Sequence, residues 1–339
     1  MMTQQSYPGA IEPTTSVESG NGPVIGIDIG GTNLRLALAD SSGAVVAKWS
    51  ASTVNTRNAE PVVDLIVEGV GELLRQSSLP YSALRAVAAG APGITDVDAG
   101  IVIATSYLMG WRDVPLRALL ESALGVPAAV DNDVNLAALG ENWAGVAKGI
   151  RDFVFLGVGT GIGAGIMLNG ALFRGVGWTA GEIGYMLVPG ASEEPAERDD
   201  PGALESLAGG VGIRNQWQKM WDKDKTALPK DLTATQIFDR AAKDGDPLAE
   251  AILQQSARTL AYAIYNMSLV LNCPLFVLGG SVGLHPALCA AIQAVLHQRR
   301  GCSVPQLAPS SLGADAQLSG AIRLALDTAT TRVDRGVAE

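Results

Sequence analysis

Cysteine and histidine are scarce in this chain of 339 residues, which holds three of the first and two of the second. Cys273, Cys289 and Cys302 form no CxxC or CxC pair, which argues against a disulfide framework or a thiolate metal knuckle and fits reduced thiols in a cytosol. His285 and His297 both come late, so a Ser-His-Asp or two-histidine metal site would have to be built around them, and both read as surface residues. Positive charge is also short, with 24 Lys and Arg against 34 Asp and Glu and a net charge of -10. No Lys/Arg cluster reverses that field locally, so neither nucleic acid nor an anionic membrane surface is expected as a partner. The longest apolar stretch, Leu260 to Gly280, is broken by Asn266, Ser268, Asn272 and Pro274 and reads as a buried helix followed by a short strand. The first residues have neither a basic start nor an apolar h-region, so a cytoplasmic location is expected. A Gly-Lys-Ser/Thr phosphate loop is missing as well.

Apolar material is ample, at 47% hydrophobic against 17% charged, and the length suits two domains. Residues 1–22, rich in Ser, Thr, Pro and Gly, read as a flexible tail. Val24 to Asp28 is a continuous apolar run, Gly30-Gly31-Thr32-Asn33 a tight turn, and Leu34 to Ala39 a second strand, too close to the first for a βαβ crossover. Helical spacing follows over 61–75, then a strand from Ala86 entering Gly90-Ala91-Pro92-Gly93. The hairpin recurs at Phe153 to Val158, turn Gly159-Thr160-Gly161-Ile162-Gly163, and Ala164 to Leu168. Such recurrence predicts a duplicated α/β architecture with one hairpin turn per lobe, although strand-Gly-strand patterns also arise by chance.

Glycines in such turns let backbone N–H groups approach phosphate oxygens, and threonine adds a hydroxyl donor. Ordinary hairpin turns needing positive φ are the plain alternative. Asp28 and Arg35 flank the first turn, and a carboxylate ending a buried strand is costly unless it serves a water, a metal or a partner. The Gly157-x-Gly159 run leads into a strand rather than a helix, so it is no dinucleotide fingerprint. Asp131-Asn132-Asp133 stands between the apolar Val126 to Val130 and the helical Val134 to Glu141. It is either a helix N-cap or an acidic base at a strand-helix junction. Glu182 and Glu205 could each be a solvated turn or first-turn residue.

Taken in order, these segments resemble the ROK family of sugar kinases and sugar-responsive repressors, over roughly residues 24–325. The carriers are Asp28-Ile29-Gly30-Gly31-Thr32-Asn33-Leu34-Arg35, Gly90-Ala91-Pro92-Gly93, Asn132-Asp133, Gly159 to Gly165, Ala180-Gly181-Glu182-Ile183-Gly184 and Leu278-Gly279-Gly280. The resemblance implies an α/β fold of two actin-like ATPase (ribonuclease H-like) lobes with a cleft between them. The boundaries expected are 23–133 for a smaller N-terminal lobe, 134–325 for a larger C-terminal lobe, and 326–339 for a tail or the end of the last helix.

The same resemblance implies an ATP-dependent hexose kinase, with glucose the first candidate and other hexoses or N-acetylated amino sugars behind it. A non-catalytic sugar-responsive regulator is the rival of another class. Asp133 would be the general base. Asn132, Glu182, Glu205, Tyr185 and Tyr107 would complete the sugar site with it. Gly30, Gly31, Thr32, Asn33, Arg35, Gly159, Thr160 and Gly161 would hold the ATP phosphates, Gly279 and Gly280 would lie beside the adenosine, and Asp28 would hold Mg2+ through water. A homodimer is expected. Two departures bear on the sugar. The family's Glu-Ile-Gly-His reads Glu182-Ile183-Gly184-Tyr185, and its cysteine-rich zinc segment is replaced by the cysteine-free residues from Pro189 to Pro201, so no zinc site is expected. The Asn of its Asn-Leu-x-Gly-Trp is Tyr107.

Overall fold

The computed structural model of the chain describes residues 22–54, 56–191, 201–224, 226–299 and 304–336. Cys302, the expected tail up to residue 21 and most of the cysteine-free segment that ends at Pro201 lie outside the described residues.

In chain order the elements are β1 (Val24–Ile29), β2 (Asn33–Ala39), β3 (Val45–Ser52), α1 (Glu60–Gln76), β4 (Ala86–Ala91), β5 (Ile94–Asp96), β6 (Ile101–Ala104), β7 (Arg112–Val114), α2 (Leu116–Leu124), β8 (Ala128–Asn132) and α3 (Asp133–Ala144). There follow β9 (Phe153–Val158), β10 (Ile162–Leu168), β11 (Ala171–Leu172), α4 (Ala203–Ala208), α5 (Gly210–Met220), α6 (Ala234–Asp244), α7 (Pro247–Leu271), β12 (Leu275–Gly279), α8 (Pro286–His297), β13 (Gln306–Pro309) and α9 (Ala316–Gly336). The second glycine turn is shorter than the sequence suggests, because Ile162 and Gly163 already pair with Val158 and Gly157.

Two five-stranded sheets carry the fold, ordered β3-β2-β1-β4-β8 and β11-β10-β9-β12-β13. Each contains an antiparallel hairpin (β1 with β2, β9 with β10), a third antiparallel strand beyond it, and two parallel strands on the other side. The order and the orientations match strand for strand, as the recurring hairpin predicted.

Alternation along β1 decides which helix covers which face. Ile25, Ile27 and Ile29 point to one side and pack with Val62, Ile66, Val70 and Leu73 of α1. Val24 points to the other and packs, with Ala37, Ala86 and Ala88, against Leu318, Ile322 and Ala325 of α9. Each such side chain taken wholly out of water contributes about 1.5–3 kcal/mol if large. The second sheet shares one core with α4 to α8, including the fully buried Trp217, Phe238, Leu260 and Phe276.

By packing, the first unit comprises the described residues up to Trp143 and again from Asp315, while the second is Ala144–Ala314. The expected boundaries at 133 and 325 therefore move, and the units are of similar length rather than small and large. The cause is close helix packing: a Cβ at Gly140 of α3 would lie 2.9 Å from the Gly320 nitrogen of α9, and one at Gly320 would meet the Leu136 backbone. His285 also departs from expectation. Its side chain is only 11% exposed, it occupies the position just before α8, and it stands edge-on to Phe238 with centroids 5.5 Å apart.

Candidate active site

In the first unit the carboxyl ends of β1, β4 and β8 gather the polar residues. The turn after β1 is closed by the Gly30 N–H donating to the Asn33 carbonyl at 2.9 Å. Buried Thr53 ties its other carbonyls back, the hydroxyl donating to Gly30 O at 2.7 Å and the N–H to Thr32 O at 3.0 Å. Among the described residues the N–H groups of Gly31 and Thr32 have no acceptor. With carbonyls anchored and donors left over, the turn has the polarity of an anion nest. Gly31 admits no side chain, since a Cβ there would lie 2.7 Å from the Tyr107 carbonyl oxygen.

Asp28 is buried and stands opposite Arg35 across the β1–β2 ladder, whose Nε and Nη2 both donate to Oδ2, at 2.9 and 2.5 Å. Burial pushes its carboxyl above the ordinary value, and the Arg35 charge and hydrogen bond offset part of that. Both bonds fall on one oxygen, which leaves Oδ1 as an acceptor for a ligand. A buried carboxylate with one oxygen so placed suits a hydrated divalent cation, so the residues present fit Mg2+.

Asp28 is also in register with Gly90 of β4. Gly90 lies against the start of α3, for a Cβ there would lie 3.4 Å from the Asp133 Cα and 2.9 Å from Leu136 Cδ1. Asn132 caps the helix, its Oδ1 accepting from the N–H groups of Val134 and Asn135 at 2.8 and 3.1 Å, and its Nδ2 donating to Gly93 O at 2.9 Å. The plain N-cap reading of this triplet thus holds for Asn132. Asp133 is the first helical residue, half-buried, with Oδ1 accepting from the Val134 N–H at 2.9 Å. A carboxylate there complements the partial positive charge of the helix start. Tyr107 is 41% exposed.

In the second unit three segments meet at the β9–β10 turn. Its carbonyls too are anchored: Gly210 N–H donates to Gly159 O at 2.8 Å and Val211 N–H to Thr160 O at 3.2 Å. Thr160 and Gly161 N–H groups have no acceptor among the described residues. Glu205 of α4 reaches the turn's exit, its Oε2 accepting from the Ile162 N–H at 2.8 Å. The Glu182 segment is fixed beside it by the Ala164 N–H donating to Gly181 O at 2.8 Å. A Cβ at Gly184 would lie 2.8 Å from Ile162 O and 3.3 Å from Glu205 Oε2. Gly280, at a φ of 80°, leads a loop whose Val282 and Gly283 N–H groups donate to Val158 O at 3.0 and 2.9 Å, next to the same turn. Tyr185 is 52% exposed.

Burial, and then the neighbouring Glu205, hold the Glu182 carboxyl above its ordinary 4.5. The folded protein therefore keeps this proton more tightly than the unfolded chain does. Its contribution to stability is full below pH 4.5 and is lost as pH rises through the folded value. Glu182→Gln is expected to raise Tm by about 2 °C at neutral pH, the gain narrowing as the pH approaches 5. Melting curves of both proteins across that range check this, and a gain independent of pH would contradict it.

The structure thus brings Asp28, Gly30 to Asn33, Arg35, Asn132 and Asp133 together in one unit, and Gly159 to Gly161, Glu182, Glu205, Gly279 and Gly280 in the other. Thr53 and the stretch Gly209 to Val211 escape sequence reading, because their work is done by main-chain atoms and one buried hydroxyl. Among the described residues, no cluster of His, Cys, Asp or Glu could hold a metal by itself, and no helix is long and apolar enough to cross a membrane.

The family model described as ROK family matches residues 24–328. A glucokinase of Halalkalibacterium halodurans is 33% identical over 268 residues, covering 76% of this chain and 80% of that protein. A xylose repressor of Caldicellulosiruptor bescii is 24% identical over 290 residues, covering 82% of this chain and 71% of that protein. Among solved structures, a ROK family glucokinase from Streptomyces griseus in complex with glucose and AMPPNP superposes with a TM-score of 0.73 at 26% identity, covering 90% of this chain and 100% of that one.

Proposed function

From its membership of the ROK family, to which this chain belongs, we propose that it is an ATP-dependent hexose kinase, with glucose its first candidate substrate. The observation that carries this is Asp133, a half-buried carboxylate fixed at the start of α3 in the unit whose glycine turn leaves its N–H groups to an anion. A regulator needs to bind a sugar but has no use for a base.

In the proposed reaction Asp133 accepts the proton of a sugar hydroxyl as that oxygen attacks the γ-phosphorus. The bond to the bridging oxygen breaks, ADP leaves with the electron pair, and the proton on Asp133 passes to solvent. The N–H groups of Gly31, Thr32, Thr160 and Gly161 receive phosphate oxygens, and their rigid anchoring means little reorganisation is needed as charge shifts. Asp28 would hold Mg2+ through water, and the ion when bound would neutralise phosphate charge. Glu182 and Glu205 accept from sugar hydroxyls, and a wrong sugar that lacks one of those hydroxyls forgoes that hydrogen bond. Gly279 and Gly280 lie beside the adenosine. The enzyme works in the cytoplasm, where ATP is, as a homodimer.

Release of ADP measured over a panel of hexoses and N-acetylated amino sugars tests the reading. Turnover is expected with glucose at kcat of about 1–100 s⁻¹. Turnover confined to another sugar would move the assignment to that sugar, and Tyr107 and Tyr185 are where such a preference would be written. Sugar binding without ADP release on any of them would favour the regulator reading, to which the similarity to a xylose repressor lends weight.

A further inference from the structure

We propose that Glu205 is a positioning residue for the nucleotide as well as a sugar ligand, holding the second phosphate turn in its donor-out shape and so linking sugar occupancy to nucleotide affinity. This rests on the kinase reading above. Ile162 is 6% exposed, so its N–H at the exit of the turn needs a protein acceptor, and the carboxylate of Glu205 is the one it has, at 2.8 Å. The chain leaving Glu205 supplies the other restraints on the same turn. Gly209 N–H donates to the Glu205 carbonyl at 2.8 Å, and the next two N–H groups, Gly210 and Val211, hold Gly159 O and Thr160 O. Glycine is required at 210 because a Cβ would lie 2.6 Å from the Gly159 oxygen. Among the described residues, every hydrogen bond given to the turn's carbonyls from outside the hairpin, and the acceptor for the N–H at its exit, thus comes from a single stretch, Glu205 to Val211.

A sugar hydroxyl that donates to Glu205 draws on the same carboxylate that fixes Ile162. Any gain in nucleotide affinity on sugar binding must be matched by an equal gain in sugar affinity on nucleotide binding. The two chemical properties of Glu205, reach and charge, make different demands on this link. Reach is what the turn needs. Charge near phosphate only repels.

Calorimetric titration of the full chain with AMPPNP, without sugar, separates them. Glu205→Gln keeps an oxygen within reach of Ile162 and is expected to bind AMPPNP within about threefold of the wild type. Glu205→Asp keeps the charge but is one methylene too short, and is expected to bind roughly tenfold more weakly, as is Glu205→Ala. A reversed order, with Asp near wild type and Gln weakened, would overturn the proposal. So would three variants that bind AMPPNP like the wild type while losing affinity for sugar, which would leave Glu205 a sugar ligand alone. A wild type that does not bind AMPPNP at all overturns the kinase reading and this inference with it.

Discussion

Replacing Asp133 with Asn is expected to lower kcat by roughly 10²–10⁴, the usual contribution of a positioned acid or base. Sugar affinity should stay within about threefold, since an amide of the same shape still offers an oxygen and leaves one hydrogen bond in place. The fold should not change. Asn132, not Asp133, caps α3, and the Val134 N–H bonded to Asp133 Oδ1 has Asn132 Oδ1 as a second acceptor at 2.8 Å. Losing a charge at the helix start costs about 0.3–1 kcal/mol. Single-turnover measurements with the preferred sugar, alongside a melting curve, check this. Turnover close to wild type in a folded variant would mean that the proton leaves by another route, and the assignment of Asp133 as base would fall.

Gly320→Ala is expected to cost about 3 kcal/mol of stability, at the upper end for one added methyl, because what it meets is backbone. The new Cβ would fall on the carbonyl of Leu136, which belongs to a helix and cannot turn aside as a side chain would. To make room α9 must rise from α3 or drag it along, and α3 carries Asp133 at its first position. Activity should therefore fall together with stability. The same substitution at Gly71 of α1 provides the contrast. There a Cβ meets nothing within 4 Å and the backbone is helical, so Gly71→Ala should stabilise by about 0.5–1 kcal/mol. Chemical denaturation of the two variants checks both signs. A neutral result at Gly320 would show that the crossing of α3 and α9 is looser than its atomic contacts indicate.

Both hairpins, the strand into Gly90, the junction at Asp131 to Asp133 and the α7–β12 passage are legible in the sequence because each is a local pattern. An apolar run sets the strand, and glycine with a short polar residue ends it. What escapes is what depends on partners far along the chain. Nothing near Thr53 announces that its hydroxyl will hold Gly30, 23 positions back, and nothing in the neighbourhood of Glu205 points to Ile162, 43 positions back. The first-turn reading of Glu205 is right about the helix and silent about the turn it serves. His285 fails as a surface residue for a related reason, since burial is decided by Phe238 on another helix. Membership of α9 in the first unit is equally hidden. Small residues such as Ala37, Ala86, Ala88 and Gly26 along the sheet are the only trace of it, and they become interpretable once a Cβ at Gly26 is seen to lie 2.8 Å from the Ile322 nitrogen.

The return of α9 to the first sheet has a consequence for how the protein is made. While a ribosome is still adding Ala144 to Ala314, the first sheet has one face covered by α1 and the other covered only in part, by α3, because Leu318, Ile322 and Ala325 have not yet been synthesised. The second unit needs nothing from outside its own span for its core, so it can close first. Completion thus runs against the direction of synthesis, and the nascent chain carries an apolar strip of alanines and Val24 through most of translation. That strip is an opportunity for chaperones and for misassembly alike, and it disappears only when α9 has left the ribosome.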